Sequence, residues 1–340
     1  MKILFIGGTG TISTAITKAV CEQGHELYLV NRGLRDKKLP EGVIQLICDV
    51  NQEDEFAKII APYEFDVVAD FIAFHPEQLQ RDVRLFKTKT KQFIFISSAS
   101  AYQKPLADYR ITEGTPLSNP YWEYSRNKIA CEEYLTKEYR NNQFPITIVR
   151  PSHTYGEQSV PLGVHGNNGS WQVIKRMIAG KPVIMHGDGT SLWTMTHNSD
   201  FAKGFLGLLG NIHAIGETVQ ITSDETLTWN QIYESIAKAL GVTLKAYYVP
   251  SDFLHKTSDY DFYGSLLGDK ANSVVFDNQK LKRLVPGFVA TKRFDQGVKE
   301  TIDFLLAHPE FQKEDLEFDQ WCDCVIQELE SAIQRVKQSK

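Results

Sequence analysis

Cysteine is scarce in this chain: five residues among 340, at positions 21, 48, 131, 322 and 324. Their irregular spacing excludes a disulfide framework and points to a reducing compartment. Cys322-Asp323-Cys324 lacks a partner cluster with zinc-like spacing, so no metal is expected. No apolar run approaches the roughly 20 residues that cross a bilayer. Met1 leads straight into an apolar segment, which leaves no room for a signal peptide and makes a cytoplasmic location the expectation. Positive charge is not in excess. Lys and Arg number 37 against 42 Asp and Glu, a net charge of −5, which argues against a general nucleic-acid binder. Internal repeats and low-complexity tracts are absent too. What remains is an ordinary globular composition, 42% hydrophobic and 23% charged, long enough for one large or two moderate domains.

The amino terminus carries the first positive signal. Ile3 to Ile6 reads as a buried strand, Gly7-Gly8-Thr9-Gly10 as a turn, and Ile12, Ile16, Ala19 and Val20 as one face of a helix ending near Gly24. A second strand follows at Glu26 to Val30. A glycine-rich turn between strand and helix is the context of a dinucleotide site. Gly7 permits the tight turn, and Gly10 admits a pyrophosphate to the backbone. The helix start, with Thr11 and Ile12, supplies N–H donors and the positive end of the helix dipole. Ser13 stands at the third small position, where glycine is usual. A site for NAD commonly has Asp or Glu at the end of the second strand; this chain has Asn31-Arg32-Gly33. Asparagine removes a carboxylate that would repel a 2′-phosphate, and Arg32, with Arg35 as a second candidate, can pair with one. NADP is therefore favoured over NAD, although Asn31 can also hydrogen-bond a ribose hydroxyl.

Strand and helix signals then alternate. Strands are expected at Val43 to Ile47, Phe65 to Phe71, Gln92 to Ser97 and Pro145 to Arg150. Helices are expected at Gln52 to Ile60, Pro76 to Lys87 and Tyr121 to Asn141. This predicts an α/β fold with a doubly wound parallel sheet, in which ligands gather at the carboxyl ends of the strands. Those ends present Asp49-Val50, Phe71-Ile72, Ser98 to Ser100 and Pro151-Ser152-His153 as candidate cofactor or substrate contacts. Tyr124 and Lys128 are four apart on an expected helix and so share a face. An ammonium beside a phenol favours the phenolate, which suits the tyrosine to exchange a proton with an alcohol or carbonyl. Ser98 can orient the substrate oxygen.

Together, Gly7-Gly-Thr-Gly10, Phe93-Ile-Phe-Ile-Ser-Ser-Ala-Ser-Ala-Tyr102, Tyr124-x-x-x-Lys128 and Arg150-Pro-Ser-His-Thr-Tyr-Gly156 resemble the extended short-chain dehydrogenase/reductase superfamily. The branch resembled is that of the NAD-dependent epimerases and dehydratases. A weaker match runs from His186-Gly-Asp-Gly189 to Asp200, so the likeness spans roughly residues 1–290. The resemblance implies a Rossmann-type domain over residues 1–156, completed by segments near 190–225. It implies a smaller α/β substrate-binding domain mainly over 157–340. It assigns Ser98, Tyr124 and Lys128 to catalysis, with Tyr124 and Lys128 also at the nicotinamide ribose. It also places Pro151 and His153 at the cofactor, with His153 facing the substrate as well.

Departures from the pattern narrow the chemistry. The 4,6-dehydratases of this branch have an acidic pair after the catalytic hydroxyl residue; here Ala99 and Ser100 stand there, which disfavours dehydration and leaves Ser100 as a substrate contact. Trp193 occupies the position of an arginine that binds the diphosphate of a nucleotide sugar. Tryptophan cannot pair with phosphate but can stack on a sugar or base. Arg283 falls where a second phosphate contact can lie. The leading expectation is epimerisation of a sugar or sugar nucleotide through a transient ketone. The second is an NADPH-dependent ketone or aldehyde reductase. The third, suggested by a likeness to plastid RNA-associated proteins, is a cofactor-sensing or RNA-associated binding protein. The amphipathic segment Glu314 to Lys340 is expected to pack on the body of the chain or on a second copy in a homodimer.

Overall fold

A computed structural model describes residues 1–34 and 39–339 and divides them into two compact units. Unit 1 comprises residues 1–154, 194–224 and 275–291. Its elements run β1 (Lys2–Ile6), α1 (Thr11–Glu22), β2 (Glu26–Asn31), β3 (Ile44–Ile47), α2 (Glu53–Ile60), β4 (Val67–Asp70), α3 (Pro76–Phe86), β5 (Phe93–Ile96), β6 (Arg110–Ile111), α4 (Glu123–Asn142) and β7 (Ile146–Pro151). Helix Asn198–Leu208 and strand Thr218–Ile221 return later in the chain to complete the unit.

Seven parallel strands form one sheet in the order Thr218–Ile221, β7, β5, β4, β1, β2, β3. Two apolar clusters cover its two faces, which is why β1, β4 and β5 read as continuous apolar runs and not as alternating ones. Along β1, Leu4 and Ile6 enter one cluster, and Ile3 and Phe5 enter the other. The order reverses between β1 and β4, so the switch point of the doubly wound sheet lies beside the glycine turn. Observed bounds lie within two residues of the expected ones, as at α4, which begins at Glu123.

Unit 2 comprises residues 155–193, 225–274 and 292–340. Strands Val183–His186 and Ala246–Val249 pair in parallel, and helix Trp229–Leu240 starts at a Thr228/Gln231 capping box. Leu316–Gln338 forms the expected long helix. Cys322 is buried on it, and Asp323 pairs with Arg176 and Lys181 at 2.7 Å. No helix among the described residues is long and apolar enough to cross a membrane. The described residues also contain no group of three or more His, Cys, Asp or Glu that could hold a metal ion.

Candidate active site

The glycine turn is held by geometry that side chains resist. Gly7 and Gly8 have φ of +101° and +98°, and a Cβ on Gly8 would sit 2.5 Å from Leu29. Gly10 caps α1, whose first turn carries no acidic residue to oppose an anion. Ser13 is accepted for a reason beyond size. It is buried, and its Oγ accepts the Gly10 N–H at 2.9 Å, tying the turn to the first turn of the helix. Thr17 Oγ1 donates to the Gly8 carbonyl at 2.9 Å and secures the other side.

A cavity of about 630 Å³ opens over this turn. Gly7, Gly10, Thr11, Ile12, Asn31, Arg32, Asp49, Val50, Phe71 and Ile72 all line it, and Phe74, Gln78 and Ile96 extend the wall. Asn31 is engaged within its own loop: its Oδ1 accepts from Gly33 N–H at 2.8 Å and from Gln45 Nε2 at 2.9 Å. Arg32 is exposed on the rim. Arg35 lies outside the described residues. A cavity of this size, with glycine N–H groups at a helix start and a cation on its rim, fits a dinucleotide.

Helix α4 carries Tyr124 and Lys128 one turn apart, with the Lys128 ammonium 5.8 Å from the centre of the Tyr124 ring. Lys128 is buried. Its Nζ donates to the Ala73 carbonyl at 2.7 Å and to the Ile96 carbonyl at 2.8 Å. It also lies 4.5 Å from the ring centre of Phe74 and 4.8 Å from that of Phe95. Burial pulls its pKa down from 10.5 to about 8, partly offset by Cys131, Asp70 and Glu132. Tyr124 is half-buried between Trp122 and Phe74, with ring centres at 5.0 and 6.2 Å.

Ser98, half-buried at the end of β5, belongs to a hydroxyl chain that the sequence does not announce. Its Oγ is 2.9 Å from Ser100 Oγ, which accepts from Ser125 Oγ at 2.8 Å. Ser100 is 4% exposed and committed to these neighbours, so it supports Ser98 and is not presented to a substrate. The sequence reads Ser100 as a substrate contact; in the fold it bonds to Ser98 and Ser125, and only its place two residues after Ser98 hints at that. Below them, Glu132 accepts from Ser97 Oγ and pairs with the buried Arg150, whose Nε donates at 2.9 Å. Pro151 is buried at the end of β7 and His153 is half-buried just after it; neither is among the cavity walls.

Two further expectations meet different surroundings. Trp193, in unit 2, is 3% exposed and packs 5.8 Å from Trp229, so packing accounts for it and it presents no open face for stacking. Arg283, on helix Gln279–Leu284 of unit 1, is an exposed side chain. His186 is buried edge-on to Trp229, and burial lowers its pKa to about 4, so it is a neutral packing residue.

The model of the NAD dependent epimerase/dehydratase family matches residues 3–222. The chain belongs to that family. Its members are enzymes of the short-chain dehydrogenase/reductase type, and the Rossmann-type sheet agrees. Among its relatives is 2'-dehydrokanamycin reductase of Streptomyces kanamyceticus, 25% identical over 85% of this chain and 80% of the relative. Another is the chloroplast stem-loop binding protein of 41 kDa b from Arabidopsis thaliana, 27% identical over 71% of this chain and 63% of the relative. A UDP-glucuronic acid 4-epimerase from Bacillus cereus, solved with UDP-glucuronic acid and NAD, superposes with a TM-score of 0.72 at 19% identity. That likeness covers 90% of this chain and 99% of the epimerase, and at this identity it speaks for the fold.

Proposed function

We propose that this epimerase/dehydratase-family chain is an NAD(P)-dependent enzyme that transfers hydride at a carbinol carbon of a sugar or sugar nucleotide, with epimerisation through a transient ketone as the leading reading. The observation that carries it is the Lys128 anchorage. Two carbonyls and two aromatic rings hold a buried ammonium one turn from Tyr124, and two of the residues that hold it, Phe74 and Ile96, line the cavity that fits a dinucleotide.

Tyr124 acts as acid and base. It takes the proton of the substrate hydroxyl as the carbon is oxidised and returns it on reduction. Lys128 favours the phenolate through its charge and holds the nicotinamide ribose. Ser98, fixed by Ser100 and Ser125, donates to the substrate oxygen. The residues lining the cavity would hold the dinucleotide: Gly7, Gly10, Thr11 and Ile12 at the pyrophosphate, Asp49 and Val50 at the adenine, Phe71 and Ile72 along its length. When bound, it supplies and accepts the hydride. Asn31 and Arg32 support NADP over NAD, because no carboxylate stands at the end of β2. Pro151 and His153 are proposed to border the nicotinamide.

A specific observation supports a second reading, a dissociable NADPH-dependent ketone reductase. Arg32 on the cavity rim suits NADPH, and the relative from Streptomyces kanamyceticus is named a reductase. Incubation with nucleotide sugars, free sugars and keto-sugars separates the two. An epimerase isomerises substrate without added reductant and keeps its coenzyme through purification; a reductase consumes NADPH one for one. Absence of both NAD and NADP binding would reject both readings.

A further inference from the structure

Beneath the coenzyme cavity, unit 1 buries a charge cluster with no part in the steps above. Asp70 ends β4 and is fully buried. Its Oδ1 accepts the Ile72 N–H at 2.6 Å and the Ala73 N–H at 2.8 Å, which shapes the loop leading to Phe74. Arg81, on α3, donates Nε to Asp82 Oδ1 at 2.8 Å and Nη1 to the Val50 carbonyl at 3.1 Å. It lies 3.8 Å from Asp70 Oδ2. One guanidinium therefore serves two buried carboxyl groups. Asp70 Oδ2 and Asp82 Oδ2 are both buried and make no hydrogen bond to any donor among the described residues. The two carboxyl groups converge on the same Arg81 nitrogen, Nη2, which lies 3.8 Å from Asp70 Oδ2 and 2.7 Å from Asp82 Oδ1. Two orphaned acceptors buried around one guanidinium are costly, and one proton shared between them satisfies both.

We propose that Asp70 and Asp82 hold a single proton between their Oδ2 atoms, and that this pair is a positioning device for the coenzyme site. Through Asp70 it fixes the Phe71–Ala73 loop, whose Ala73 carbonyl seats the Lys128 ammonium. Through Arg81 it fixes Val50 on the same cavity. One buried cluster thus ties the seat of Lys128 to the cavity wall at Val50. Its importance for turnover rests on the reading of Lys128 given above; the shared proton and the seating of Lys128 do not.

The proton has a definite sign in stability. Burial and the Asp70 charge, opposed by Arg81, push the Asp82 carboxyl well above the ordinary carboxylate range. The other charged or titratable groups near the pair are Arg84 on the helix of Asp82 and Tyr134 and the buried Cys131 on α4, with Lys128 beyond Asp70. Above about pH 4 the unfolded chain has released this proton while the native chain keeps it. The pair's contribution to stability therefore falls as pH rises towards its folded pKa. Asp82→Asn supplies a permanent N–H in place of the proton and escapes that loss.

The test uses the full chain and needs no substrate. Thermal unfolding between pH 5 and 8 compares the parent with D82N, D70N and the double variant, and acetylation read by mass spectrometry follows Lys128. D82N is expected to match or exceed the parent at pH 8, with an advantage that grows from pH 5 to 8. D70N is expected to fold, because its amide donates to Asp82 and its carbonyl oxygen still accepts from Ile72 and Ala73. The double variant places two amides together and is expected to lose more than the two single changes combined. D70A is expected to raise acetylation of Lys128 by about tenfold or more as the loop opens locally, D70N to restore protection, and the buried Lys270 of unit 2 to stay protected throughout. A D82N penalty independent of pH, or single penalties that simply add, would overturn the shared proton. Lys128 labelling unchanged in D70A, or rising together with Lys270, would overturn the positioning role.

Discussion

Replacing Lys128 with methionine isolates the group on which the proposed chemistry depends. In the native protein burial lowers its pKa from 10.5 to about 8. The difference corresponds to a cost on the order of 3 kcal/mol for keeping the ammonium at neutral pH. Methionine removes that cost but strands the Ala73 and Ile96 carbonyls, at about 1–3 kcal/mol each. At pH 7 the terms nearly cancel, and K128M is expected to lie within a few kcal/mol of the parent. The pH dependence is sharper. Below about pH 8 both native and unfolded parent carry the proton and the lysine contributes no slope. Between pH 8 and 10.5 the unfolded chain holds a proton that the native chain has lost, so parental stability rises with pH, by about 3 kcal/mol in all. K128M lacks this rise. Urea unfolding of coenzyme-free protein at pH 7, 8, 9 and 10, read as the difference between the two proteins, removes the contributions of every other titrating group. A difference that widens in the parent's favour by roughly 2–3 kcal/mol supports the buried ammonium. A constant difference refutes it, and with it the environment assigned to Tyr124.

Other substitutions probe the remaining parts. Arg32→Ala should weaken NADP binding by about tenfold or more and leave NAD nearly unchanged, as measured by titration of intrinsic fluorescence; equal losses would remove the phosphate role. Arg150→Met leaves Glu132 charged and buried without its partner, and denaturant unfolding should show a loss of about 3–5 kcal/mol. Gly8→Val places a Cβ against Leu29 at φ +98°, and coenzyme affinity should collapse with a lowered unfolding midpoint; parental values for both would contradict the turn geometry.

Much of unit 1 is legible in the sequence because its signals are local. Strands buried on both faces give apolar runs such as Ile3 to Ile6, and the glycine turn lies directly between a strand and a helix. The Tyr124–Lys128 spacing is fixed by helical geometry alone. What escapes such reading depends on contacts distant in sequence. No periodicity marks Ala246–Val249 as the partner of Val183–His186, since Ala246 to Tyr248 stay partly or fully exposed. The π-helix Tyr263–Lys270 ends where the Lys270 carbonyl receives Trp229 Nε1 at 3.1 Å, an anchor supplied from another segment. Trp193 reads as an open aromatic face until Trp229 is placed against it. Charge is the hardest to read: nothing in the order of residues says that Asp70, Arg81, Asp82, Glu132 and Arg150 lie inside. The hydroxyl chain from Ser98 to Ser125 likewise needs β5 and α4 brought together.

The central claim is that Tyr124 moves the proton while a bound nicotinamide moves the hydride. Its most direct test is Tyr124→Phe, assayed for hydride transfer against a panel of sugars and keto-sugars alongside coenzyme affinity. The account predicts coenzyme affinity within about threefold of the parent and transfer slowed by about 100-fold or more. Transfer within tenfold of the parent, with coenzyme bound, would contradict it.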